Sequence, residues 1–96
     1  MLISPSTIDV NDVATFKLVN GDEIVAKVVE KHDDRVKIER PFVVIPNQNG
    51  LGIMPVLFSV DNGKPVEILR QHIMMMALTS DAIKNHYVQT TTGIAI

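Results

Sequence analysis

The residues with chemistry to offer fall in two short runs, His32-Asp33-Asp34-Arg35 with Lys37 two positions on, and Arg70-Gln71-His72. Acid and base stand side by side in the first run. That fits either a solvated hairpin tip whose charges offset one another or the lip of a binding site. Neither run reads as a catalytic set. Asp33 and Asp34 are adjacent in an extended turn and point apart, which suits neither paired-carboxylate catalysis nor a dedicated cation site. His32, His72 and His86 share no metal-ligand spacing, and the chain has no Gly-x-Ser-x-Gly elbow and no Gly-rich phosphate loop with Lys. No catalytic residue, metal ion or cofactor is expected.

These residues belong to a chain of 96 residues, read as one domain, of which 46% are hydrophobic and none is Trp. So short a chain buries a modest share of its surface, and self-association is a natural supplement. The mean hydropathy of +0.19 agrees with apolar strand surface that meets another subunit. Without cysteine there is neither a disulfide framework nor a thiolate zinc site, a composition that suits a reducing cytoplasm. A net charge of −2 and a pI near 5.8 argue against binding nucleic acid by bulk electrostatics, leaving room for a local basic patch. The start, MLISPSTIDV, has no basic region, and the apolar stretch Ile73–Leu78 is too short to cross a bilayer. The expectation is a cytoplasmic chain that makes no use of a membrane.

The elements that must position the two runs have a period of two. Phe16 and Leu18 alternate with Lys17 and Val19, Asn20-Gly21 supplies a turn, and Ile24, Ala26 and Val28 resume one face. After the charged run, Val36 and Ile38 alternate with Lys37 and Glu39. Pro41–Ile45 continues as a long bent strand whose proline suits an edge or a bulge. Pro46–Gly52 reads as a loop, Ile53–Val60 as a strand, Asp61-Asn62-Gly63 as a turn, and Pro65–Leu69 and Ile73–Leu78 as extended pieces interrupted by Arg70-Gln71-His72. Met74–Met76 read as seam or core. The period then changes: Thr79 or Ser80 can cap a helix, Asp81 suits its first turn, and Ile83 and Tyr87 share a face. This predicts a barrel over about 14–79, a short helix over about 80–89 and a tail over 90–96, with QTTTGIAI either frayed or docked as a strand on a neighbour. The fold class is mainly β, a small, strongly bent five-stranded antiparallel barrel with a short C-terminal helix.

FKLVNGDEIVAKV resembles the first half of the Sm motif, with Leu18, Asn20-Gly21, Ile24, a small residue at Ala26 and Val28. Asp33-x-x-Val36-Lys37-Ile38 falls on its second half, and EILRQHIMMMAL resembles the second Sm motif. The chain carries Ala26, Lys37 and Gln71 where the family pattern has Gly, Asn and Gly, and its helix lies after the barrel rather than before it. It is similar to short Sm-like proteins of marine cyanophages and ocean metagenomes.

The resemblance implies an SH3-like barrel that assembles edge to edge into a homo-oligomeric ring, with Ile73, Met75 and Leu78 helping to bury the seam. It also implies single-stranded RNA as ligand at the two turns that meet around the pore, which here carry Asp33, Lys37, Arg70, Gln71 and His72. In that role Arg70 contacts phosphate or stacks on a base, Lys37 neutralises phosphate, and Gln71 or His72 hydrogen-bonds a base edge. The competing reading is a ring-shaped structural or adaptor protein whose partner is protein, for which the acidic net charge speaks. Arg35, beside Asp34, reads as part of a self-compensating turn.

Overall fold

The computed structural model describes residues 8–61 and 63–92. In chain order the elements are β1 (Val13–Leu18), β2 (Glu23–Lys31), β3 (Arg35–Asn47), β4 (Gly50–Pro55), β5 (Val66–Leu69), a 3-10 turn (Arg70–His72), β6 (Ile73–Leu78) and α1 (Asp81–Thr92). All strand pairs are antiparallel, in the order β4-β3-β2-β1-β6, with β5 also on β3. The first hairpin turns at Asn20-Gly21, where Gly21 takes a φ of 98° and the Asn20 side chain accepts the Asp22 N–H at 3.0 Å.

Four expectations need correction. There are six strands rather than five, and no ladder joins β6 to β4 or β5 among the described residues, so the hydrogen-bonded sheet is open where a closed barrel was expected. β3 changes partner, from β4 to β5, where it bends. Val25 pairs with Phe42 and Lys27 with Glu39, so Arg40 and Pro41 together face the single residue Ala26 and form a bulge, with Arg40 at a φ of 52°. On the edge away from β2, no single strand follows β3 across that kink. The expected strand Ile53–Val60 therefore leaves the sheet after Pro55, its last bond running from the Val56 N–H to the Pro41 carbonyl. The chain returns as β5 on the near half of β3, where Val36 pairs with Ile68 and Ile38 with Val66. The expected loop over residues 46–52 is only a tight turn at Gln48-Asn49, because β3 and β4 stay paired out to Asn47 and Gly50.

Burial follows the alternation between these irregularities. Ala14, Phe16, Ile24, Ala26, Val28, Val36 and Ile38 form the main core, and Val66 and Ile68 of β5 and Ile73 and Met76 of β6 pack against it. The two outlying strands thus share one interior with β1–β3 without being paired to each other. Each fully buried side chain of this size contributes about 2 kcal/mol relative to exposure. In β6, Lys17 pairs with Met75 and Leu18 with Ile73, so Met74 is a bulged extra residue. The bulge turns Ile73 and Met76 inward and leaves Met74 and Met75 exposed, so of the three consecutive methionines only Met76 reaches the core.

On the other face of the sheet α1 contributes one buried residue, Tyr87. Tyr87 is buried with Val13 and Val25, with Phe42, Val44 and Ile53 around them, and its ring meets Phe42 edge-on at 5.8 Å. The helix outruns its expected end at residue 89. The Thr91 and Thr92 hydroxyls donate to the carbonyls of Tyr87 and Val88, so the threonine run extends the helix instead of beginning a tail. The expected docking of the tail concerns residues 93–96, outside the described residues, as does Asn62 of the turn before β5. Thr79 binds the Thr15 hydroxyl at 2.9 Å and the Val13 carbonyl through its N–H, which ties the strand-to-helix junction to β1. Among the described residues no helix is long and apolar enough to cross a membrane.

Candidate functional site

The two charged runs meet at one end of the sheet. The β2–β3 turn is closed by the His32 N–H bonding the Arg35 carbonyl at 2.9 Å. From the 3-10 turn, the Arg70 N–H donates to the Asp34 carbonyl at 2.9 Å and Arg70 Nε to the His32 carbonyl at 2.6 Å. On its other side the 3-10 turn accepts the Val19 N–H at the His72 carbonyl, 2.9 Å away. Three chain segments are therefore bonded together around Arg70–His72. The junction exists because β5 runs along the near half of β3 and delivers Arg70 to the hairpin tip.

Asp33, Gln71 and His72 are exposed at this junction, whereas Arg70 is half-buried and spent on backbone carbonyls. Lys37 stands apart from the tip. It lies on the outer face of β3, in register with Glu30 of β2 and Glu67 of β5, with Nζ 3.7 Å from Glu30 Oε1. Glu30 also holds the His32 ring at 2.9 Å, and that hydrogen bond, with the charge of Lys37 second, keeps its carboxyl below the usual carboxylate range. Arg35 bonds Glu67 at 3.1 Å and Asp34 at 2.8 Å, which raise its already high pKa. It behaves as the self-compensating turn residue its neighbours suggest.

Of the five residues the sequence nominates for RNA, then, Asp33, Arg70, Gln71 and His72 come together, and Lys37 lies one step along the strand. Sequence reasoning missed Glu30 and Glu67, which neutralise Lys37 and Arg35 at this end. Their signal was strand register: once the turn is placed at 32–34, Glu30 falls opposite Lys37.

Of the nominated seam residues, Met75 and Leu78 are 64% and 47% exposed on β6, while Ile73 is turned toward the core. β6 ends the sheet on one side and β4 on the other, where Leu51 and Met54 are also exposed. Compared with known proteins, the chain matches no protein-family model and no curated sequence.

Proposed function

We propose that this chain is an Sm-like subunit that closes into a homo-oligomeric ring by pairing β6 of one copy with the opposite sheet edge of the next. The ring binds single-stranded RNA at the junction of the β2–β3 turn and the 3-10 turn. The observation that carries this reading is the hydrogen-bonded junction itself: Arg70 locks the two turns together, and Asp33 of one and Gln71 and His72 of the other are exposed. Amide, imidazole and carboxylate on a rigid turn suit the donor and acceptor edges of an unstacked base. Lys37, nearby on β3, supplies the phosphate contact. The ring is supported by two open sheet edges that carry exposed apolar side chains, a combination that a lone chain leaves prone to further pairing. By the same resemblance the work belongs to phage or host RNA metabolism in a bacterial cytoplasm.

A second reading has its own observation. Arg35 is held by two carboxylates and Lys37 faces Glu30, so little unbalanced positive charge is left at the junction to collect phosphates. That favours a protein partner on the same ring. Fluorescence anisotropy with short uridine-rich and adenine-rich RNA at low salt separates the two. Binding that falls when Gln71 or His72 is replaced by Ala, and is unmoved by Lys17→Ala, supports the RNA reading. No binding at low salt transfers the weight to the protein partner.

A further inference from the structure

We propose that two copies of this chain join across a two-fold axis through Phe58, each copy inserting this ring into a cavity beside Arg40 of the other. Phe58 is 79% exposed, more than any other large apolar side chain among the described residues. It lies in the segment between β4 and β5, and its near neighbours Leu57 and Val60, with Pro41, Phe42 and Val66, line a cavity of about 220 Å³ that is large enough for a benzyl group. Knob and hole therefore sit on the same stretch of surface. That is what a self-complementary contact needs, since Phe58 of one copy meets the cavity of the second while the reverse insertion happens beside it.

The wall of the cavity explains why an aromatic ring is the guest. Arg40 is held at a φ of 52° by the bulge in β3, and its Nε is buried without a hydrogen-bond partner, although Nη1 reaches Glu39 at 3.1 Å. The Arg40 side chain as a whole is 32% exposed and lines the cavity, so a guest there meets the accessible part of the guanidinium and not the buried Nε. The face of a phenyl ring accepts a guanidinium by cation–π contact and brings no charge of its own. Charge balance favours it over an anion. Arg40 and Lys64 at the cavity are matched by Asp61, which also lines it, and by Glu39, which holds Arg40. The segment is also kept close to the guanidinium: Gly63 has a φ of 90°, and a Cβ there would lie 3.4 Å from Arg40 Nη2.

This contact leaves the β6 edge free, but it lies beside the opposite edge, where Pro55 of β4 and Val66 of β5 line the cavity, and it can form whether or not the ring does. Sedimentation velocity on the full chain tests it with three proteins: wild type, Phe58→Ser, which removes the knob, and Val60→Trp, which fills the hole from an exposed position. The expected result is a wild-type mass twice that of either variant, whatever unit the variants form, with all three giving the same circular dichroism spectrum and wild type melting higher as its concentration rises. Mixing the two variants leaves one intact knob and one intact hole, and it restores a weak doubled species that neither forms alone. Equal masses for wild type and Phe58→Ser overturn the proposal. A halved mass for Phe58→Ser with an unchanged one for Val60→Trp overturns the assignment of the Arg40 cavity as the receiving site. If the ring reading fails, the doubling is from monomer to dimer and remains legible.

Discussion

Arg70 Nε lies 2.6 Å from the carbonyl oxygen of His32, while the Arg70 N–H bonds the carbonyl of Asp34 two residues further on. One residue thus holds both ends of the β2–β3 turn against the 3-10 turn. Its side chain is structural before it is anything else, so its removal acts on the fold as well as on any ligand.

Replacing Arg70 by Ala removes a charge-assisted bond to a carbonyl and is expected to destabilise the fold by about 2 kcal/mol. Gln71→Ala, on the exposed side of the same turn, should stay within about 0.5 kcal/mol of wild type. Urea unfolding of the two variants gives the comparison. Equal stability of Arg70→Ala and wild type would show that the junction holds without its side chain.

The Tyr87 hydroxyl, shared between the carbonyls of Glu39 and Arg40 at 3.1 and 3.0 Å, anchors α1 to the bulge in β3. Burial pushes this phenol up to about 12 from its ordinary value of 10.0. Because the folded state favours the protonated form, the stabilisation is complete below about pH 10 and is lost as the pH rises toward 12. Tyr87→Phe should cost about 1 kcal/mol at neutral pH and abolish that alkaline decline. Melting temperatures between pH 8 and pH 11.5, a range chosen as roughly that of the titration, check it. A decline of the same slope in the Phe variant would assign it to another group.

Lys37 and Glu30 form a surface pair 3.7 Å apart, with the lysine side chain partly exposed. Lys37→Asn is therefore expected to change stability by less than about 0.5 kcal/mol. If Lys37 meets phosphate, the variant should lower the slope of log affinity against log salt by about 0.7 for each single-strand phosphate that it ceases to neutralise. Anisotropy at two salt concentrations measures the slope. An unchanged slope removes Lys37 from the ligand contact.

Much of this arrangement was legible in the sequence, and the exceptions share a cause. Asn20-Gly21 announced its turn, because few other pairs accept positive φ, and of the pair Ile83 and Tyr87 it is Tyr87 that is buried against the sheet. The meeting of Asp33–Asp34 with Arg70 was expected from the family resemblance alone, since no local pattern links residues so far apart. A bulge was one of two roles offered for Pro41; what escaped was its consequence for the partner strands, and the second bulge at Met74. Arg40 is not a residue type that signals positive φ, and Pro41 marked only that something irregular was near. Without the bulges at Arg40-Pro41 and Met74, neither the end of the expected strand Ile53–Val60 at Pro55 nor the outward pair Met74 and Met75 follows from alternation. The open sheet is likewise a long-range outcome of strand geometry. The threonines at the end of α1 were misleading because their β propensity is offset by hydroxyls that bond back to the preceding turn.

Closure of the chain into a ring through the β6 edge, on which the functional proposal rests, can be read by native mass spectrometry of wild type and Met75→Glu at micromolar protein. Met75 is 64% exposed in the single chain, so the new carboxylate leaves the subunit folded but would be desolvated at the seam. The expected spectrum is one discrete multiple of the 10.6 kDa chain for wild type and its breakdown to smaller species in Met75→Glu with unchanged circular dichroism. A wild-type monomer, an open-ended ladder of masses, or an intact oligomer in Met75→Glu would contradict ring closure.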